Sequence, residues 1–173
     1  MVRWPRAYAA LARIALARPP RSRLRRTQLR RAVLSGWSAW ARDDLDLVLV
    51  RYAHNCRIEV PPEFVDAGMK SAYNGHAGEH EYTVDLRESF ERMDITPLEL
   101  VDAGDRIVVL GRFHICARGS GVEVDSKIGS VYWIESGLCV RERTFLDWDA
   151  ALGAAEIPTT VATRQSPAHQ ASA

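Results

Sequence analysis

The spacing of apolar residues changes period once along the chain, near residue 94. Before that point it follows the α-helix. In "QLRRAVLSGWSAWA", Val33, Trp37, Trp40 and Ala41 recur at helical spacing, with Thr27 as the expected N-cap. Asp43 and Asp44 break this helix and can cap a second one, "LDLVLVRYA", whose stripe is Leu45, Val48, Leu49 and Tyr52. "CRIEV" reads as a short strand ended by Pro61-Pro62, and "EFVDAGMKSAYNG" as a loop with a helical turn. "HAGEHEYTVDLRESFERM" reads as a third helix, with Tyr82, Leu86 and Phe90 four residues apart.

Beyond it the period is two. "PLELVDAG", "DRIVVLGRFHICAR", "GVEVDSKIGSVYWI" and "LCVRERTFLD" predict four strands joined by glycine-bearing turns that suit antiparallel hairpins. A short helix, "DAALGAAE", closes the pattern. Helices first and a meandering sheet second make the class α+β.

Composition adds a division within the chain. Of 173 residues, 47% are hydrophobic and 26% charged, as in an ordinary globular protein with room for one core. The net charge of +1 hides eleven arginines and no acid within residues 1–42. We expect residues 1–27 to be an Arg-rich, disordered extension, 28–156 the folded domain, and 157–173 a disordered tail. The extension could contact nucleic acid through phosphates, or a membrane surface as an amphipathic helix; a dispensable extension is the simpler expectation. No apolar run approaches the roughly 18 residues of a membrane span. Cys56, Cys139 and Cys116 are an odd number without a C-x-x-C pair, which disfavours a disulfide framework and suits a cytoplasmic protein.

"NGHAGEH" contains H-x-x-E-H, formed by His76, Glu79 and His80, an order used by inverted zinc peptidases. Gly78 weakens the turn that would fix both histidines, and the pattern supplies no third ligand. We therefore expect no metal. Glu79 and Glu81 should favour the helix N-terminus, with His76 and His80 toward solvent or a pocket rim.

The ordered set "WSAWARDDLDLVLVRYAHNCRIEV", "YNGHAG", "VDAGDRIVVLGRFHICARGSG" and "VYWIESGLCVRERTFLDWDAAL" resembles the SnoaL-like branch of the nuclear transport factor 2-like superfamily over residues 28 to 156. The resemblance implies a cone: a curved antiparallel sheet wrapped around the N-terminal helices, with a pocket at its open end. Its members include cofactor-free isomerases, cyclases and dehydratases, and proteins that only bind or dimerise. It puts Val108, Leu110, Arg112, His114 and Cys116 on the concave wall with Ser126, Ile128, Ser130, Tyr132, Ile134, Val140, Glu142 and Thr144. The implied pocket holds Arg112, His114, Ser130, Tyr132 and Glu142, faced by Trp37 and Trp40.

In that arrangement Arg112 and Glu142 should pair, since neither is tolerated alone in an apolar wall. His114, Tyr132 and Glu142 become the candidate acid/base groups, and Trp37, Trp40, Arg112 and Ser130 the candidate ligand contacts. Ketosteroid isomerases have a base aspartate where this chain has Val60, so their chemistry is not carried over. The function expected is binding of a small, mostly apolar molecule, with cofactor-free proton transfer; the alternative is a non-catalytic binding or dimerisation module. Val131 and Trp133 fall on the outer face, which points to a homodimer through the sheet.

Overall fold

The structure is a computed structural model that describes residues 5–20 and 22–157. The C-terminal tail expected from residue 157 lies, beyond Ile157, outside the described residues. Two helices lead the chain, α1 (Pro5–Leu16) and α2 (Arg23–Ala41), followed by the short α3 (Leu45–Leu49). Then come β1 (Tyr52–Glu59), α4 (Pro62–Asp66), β2 (Ala72–Asn74) and α5 (Gly75–Ser89). Strands β3 (Phe90–Asp102), β4 (Arg106–Ala117), β5 (Glu123–Glu135) and β6 (Leu138–Phe145) follow, and α6 (Trp148–Ala154) ends the domain.

The α+β class and its curved, open sheet agree with the expectation. The six strands run in the order β2-β1-β6-β5-β4-β3. One pairing departs from the antiparallel plan: β1 lies parallel to β6, with Ile58 opposite Glu142. The crossover from β1 to β6 spans the rest of the domain, which is why strand alternation alone does not reveal it. Two strands also begin earlier than expected. "YAHN" extends β1 rather than α3, and α5 ends at Ser89 so that "FERM" opens β3.

The extension is the main correction. Ser22, not Thr27, caps α2, its Oγ accepting from the Arg25 N–H at 3.4 Å. Residues 5–16, expected to be disordered, form α1, which is held against the domain by Arg25. That guanidinium is buried and bonds both carboxylate oxygens of Asp102 at 2.7 and 2.6 Å. It also donates to the carbonyls of Gly104 (2.6 Å), Arg18 (2.8 Å) and Leu16. One of the eleven arginines thus fastens the extension to the β3–β4 turn, and the high arginine count concealed it. Gly137, at φ +82°, sits so close that a Cβ there would meet the Ala9 carbonyl oxygen at 2.5 Å. Only glycine allows α1 to rest on the β5–β6 turn.

Apolar residues cover both faces of the sheet. On the concave face Ile58, Phe113, Ile115 and Ile128 pack with Phe64, Leu86 and Phe90, and Val109 and Ile107 meet Leu29 of α2. On the convex face Val101, Val108, Leu110 and Val131 are covered by Ala151, Leu152 and Ala155. Val131, expected to be an exposed partner surface, is thereby 0% exposed. Trp133 does lie on that face, half-buried, with the Arg141 guanidinium 4.7 Å above its ring. No described helix is long and apolar enough to cross a membrane.

Candidate functional site

A cavity of about 720 Å³ lies between the concave sheet face and helices α1, α2 and α5. Its walls are mostly apolar. Trp37 and Trp40 project from α2, Tyr82 and Leu86 from α5, Met93 and Ile95 from β3, and Phe113 from β4. Strands β5 and β6 contribute Ile128, Ser130, Tyr132, Ile134, Cys139, Glu142 and Thr144, and α1 adds Tyr8, Leu11, Ala12 and Ala15. Such a space has the size and lining of a small-molecule site.

Two buried carboxyl groups interrupt the apolar wall. Glu142 is 8% and Glu79 3% exposed, and both line the cavity. The Tyr52 hydroxyl donates to Glu142 Oε2 at 2.5 Å. Burial pushes the Glu142 carboxyl up to about 7, with hydrogen bonding from Tyr52 and Tyr132 acting in the opposite sense. Glu79 is held well above the usual carboxylate range, first by burial and then by the charge of Glu142. Its Oε2 is buried and has no hydrogen-bond partner. The phenols of Tyr52, Tyr82 and Tyr132 are all pushed well up, by burial first and next by Glu142. The arrangement is a carboxyl poised to exchange a proton near neutral pH, beside a second held well above the usual carboxylate range, among neutral phenols that can donate a hydrogen bond.

Five of the seven expected site residues meet at this cavity: Trp37, Trp40, Ser130, Tyr132 and Glu142. The Ser130 hydroxyl lies 3.3 Å from that of Thr144. Arg112 and His114 do not reach it. Strand β4 is turned by one residue relative to the expected phase, since Val109 pairs with Ser130 and Ile107 with Tyr132. Directly paired residues share a face, so Ile107, Val109, Phe113 and Ile115 point inward. Arg112 and His114 go outward with Lys127 and Asp125. The expected Arg112–Glu142 pair is replaced by Arg112–Asp125 on the surface, Nε to Oδ1 at 3.1 Å. His114 Nε2 lies 2.8 Å from the Arg92 guanidinium and 3.9 Å from Glu123 Oε1. The physical reason is that Phe113 and Ile115 gain more from burial than Arg112 and His114, which would each demand a partner inside.

Glu79, Tyr52 and Tyr82 are the site residues that sequence reasoning missed. Glu79 was expected at the helix N-terminus among solvent-facing groups. The α5 stripe already carried the signal: Glu79 lies three residues before Tyr82 and seven before Leu86, on the buried side of the helix. The H-x-x-E-H residues consequently diverge. His76 Nε2 is 3.1 Å from the Tyr52 carbonyl oxygen, Glu79 faces the cavity, and His80 is exposed. Gly78 serves packing, because a Cβ there would sit 2.9 Å from the Tyr73 carbonyl carbon. Among the described residues no group of three or more His, Cys, Asp or Glu is arranged to hold a metal ion. Glu59, beside Val60, points away from the cavity and pairs with Arg141 at 2.8 Å and Arg57 at 2.9 Å.

Comparison with known proteins agrees with this architecture. The SnoaL-like domain family matches residues 33–142. No curated protein matches the chain in sequence. Among solved structures, an NTF2-like protein of unknown function from Burkholderia pseudomallei is 25% identical, with a TM-score of 0.62, over 71% of this chain and 93% of its own. TerC, crystallised with polyporic acid, is 21% identical with a TM-score of 0.61, over 73% and 96%. A protein from Jannaschia classed as a SnoaL-like polyketide cyclase is 23% identical with a TM-score of 0.56, over 76% and 94%.

Proposed function

The chain belongs to the SnoaL-like domain family, and from that premise we propose that it binds a small, mostly apolar molecule and moves a proton on it without a cofactor. Isomerisation, cyclisation and dehydration are the reaction types this chemistry serves. The observation that carries the reading is Glu142: a buried carboxyl on an apolar cavity, hydrogen-bonded by Tyr52 and with no ion-pair partner among the described residues. Glu142 is the proposed base, taking a proton from carbon and returning it elsewhere on the substrate. Tyr132, on the same wall, is the proposed donor to the oxygen where negative charge develops. Trp37 and Trp40 supply the facing surface that orients an apolar skeleton.

A carboxyl with a pKa near the working pH combines adequate basicity with an ionised fraction large enough to act, which is the condition for efficient proton transfer. His114, first expected in this role, lies on the outer face and has none in the reading. The test is deuterium wash-in at the α-carbon of 1-tetralone, an apolar bicyclic ketone, followed by mass spectrometry in D₂O. Wild type should exceed the buffer rate, and Glu142→Gln should lose on the order of 10²-fold of the enhancement. Exchange at the buffer rate in wild type, or undiminished in Glu142→Gln, would contradict the proposal.

A further inference from the structure

Proton transfer by Glu142 leaves Glu79 with nothing to do. Its carboxyl lines the cavity, is 3% exposed, and presents Oε2 without a partner. A polar group so placed is costly unless something arrives to satisfy it. The surroundings state what that something should be.

The neighbouring acid, Glu142, already accepts from Tyr52. The thiols of Cys56 and Cys139 are pushed up by burial first and by the two carboxyls, and so stay neutral. Two guanidiniums line the cavity, and both are engaged elsewhere. Arg18 donates to the Ile14 carbonyl at 3.0 Å. Arg51 donates to the Leu47 carbonyl and to Ser35 Oγ and lies 5.6 Å over the Tyr8 ring, although its Nε is buried without a hydrogen-bond partner. Neither acts on Glu79 or Glu142. Around Glu79 and Glu142 the interior therefore offers two buried carboxyls, an unused acceptor and aromatic faces, with no cation paired to either. Electron-rich ring faces beside a carboxylate are the surroundings in which an alkylammonium is bound well.

Building on the cavity as the ligand site, we propose that it selects mostly apolar molecules bearing one amine, with the ammonium on Glu79 Oε2 between Tyr82 and the α2 tryptophans. On binding, Glu79 releases its proton to solvent and pairs as carboxylate with the incoming ammonium; no bond to carbon forms or breaks. Glu142 stays free for proton transfer on the attached skeleton.

Isothermal titration of the full chain at pH 7 with phenethylamine and with phenethyl alcohol tests this, run in two buffers of different ionisation enthalpy. The amine should bind at least about tenfold more tightly than the alcohol. It should release about one proton per molecule bound, and the alcohol none. Glu79→Gln should remove both the preference and the proton release while keeping the alcohol's affinity. The proton count on wild type needs no variant, so a poorly folding Glu79→Gln would not rescue the idea. Alcohol binding as tightly as the amine, or amine binding without proton release, would overturn the amine class and leave the cavity's proton-transfer role standing. Binding of neither compound would overturn both.

Discussion

Replacing Glu142 by glutamine should make the protein more stable above neutral pH, although it removes a site residue. An unfolded glutamate titrates at 4.5, whereas burial raises Glu142 to about 7 in the fold. The folded state therefore holds this proton more tightly than the unfolded chain. Its contribution to stability is complete below pH 4.5, declines as pH rises, and is lost once pH passes 7. The gap corresponds to about 3 kcal/mol. Glutamine keeps the shape, still accepts from Tyr52, and never ionises. An amide N–H left without an acceptor costs about 1–3 kcal/mol, but equally at every pH. The robust quantity is thus the difference between the Glu142→Gln effects at pH 8 and at pH 4.5, expected to be about 3 kcal/mol in favour of the variant at the higher pH. For a chain of this length that is roughly 6–12 °C in Tm. Urea denaturation at both pH values, followed by tryptophan fluorescence, would measure it. An effect of the same size at both pH values would mean that Glu142 ionises normally and that the reasoning about its burial is wrong.

Arg25→Ala should destabilise by about 3–5 kcal/mol in the same assay, because it strands the buried Asp102 carboxylate; a loss below about 1 kcal/mol would mean that α1 is not fastened there. Arg112→Ala and His114→Gln, on the outer face, should each stay within about 0.5 kcal/mol of wild type, and unfolding of either would return that face to the interior. Gly137→Ala should speed amide hydrogen exchange throughout residues 5–16, since its Cβ would push on the Ala9 carbonyl; unchanged protection would show that α1 does not rest on the β5–β6 turn.

Much of the fold was legible because its determinants are local. The helical stripe Val33–Trp37–Trp40, the aspartate joint and the glycine turns each announce an element within a few residues. What escaped depends on partners distant in sequence. Arg25 finds Asp102 seventy-seven positions away, so nothing in "RSRLRRTQLRR" distinguishes the arginine that anchors from those that face water. The parallel β1–β6 pairing is likewise invisible in either strand alone. At the site, β5 and the Glu142–Thr144 part of β6 were phased correctly because Ser130, Tyr132, Glu142 and Thr144 recur every second residue, whereas a bulge before Arg141 brings Cys139 to the cavity in place of the expected Val140. Strand β4 was not, since both of its faces are apolar at one end: Val108 and Leu110 lie under α6, as Ile107 and Val109 lie under α2. Phe113 and Ile115 opposite Arg112 and His114 carried the correct phase in the half of the strand that α6 does not cover. Glu79 shows a different obstacle. A carboxylate on a buried stripe reads as a helix-terminus charge until a cavity beneath it gives burial a purpose.

The cavity holds one carboxyl that titrates near neutrality beside a second raised well above the usual carboxylate range. Carbon-13 NMR of protein labelled at the glutamate side-chain carboxyls tests it most directly, with Glu79→Gln and Glu142→Gln supplying the assignments. One carboxyl resonance should have a midpoint near 7 and be absent from Glu142→Gln, and a second, absent from Glu79→Gln, should titrate well above the usual carboxylate range. Complete ionisation of both glutamates by about pH 5.5 would contradict this, for ordinary, solvated carboxylates would then line the cavity.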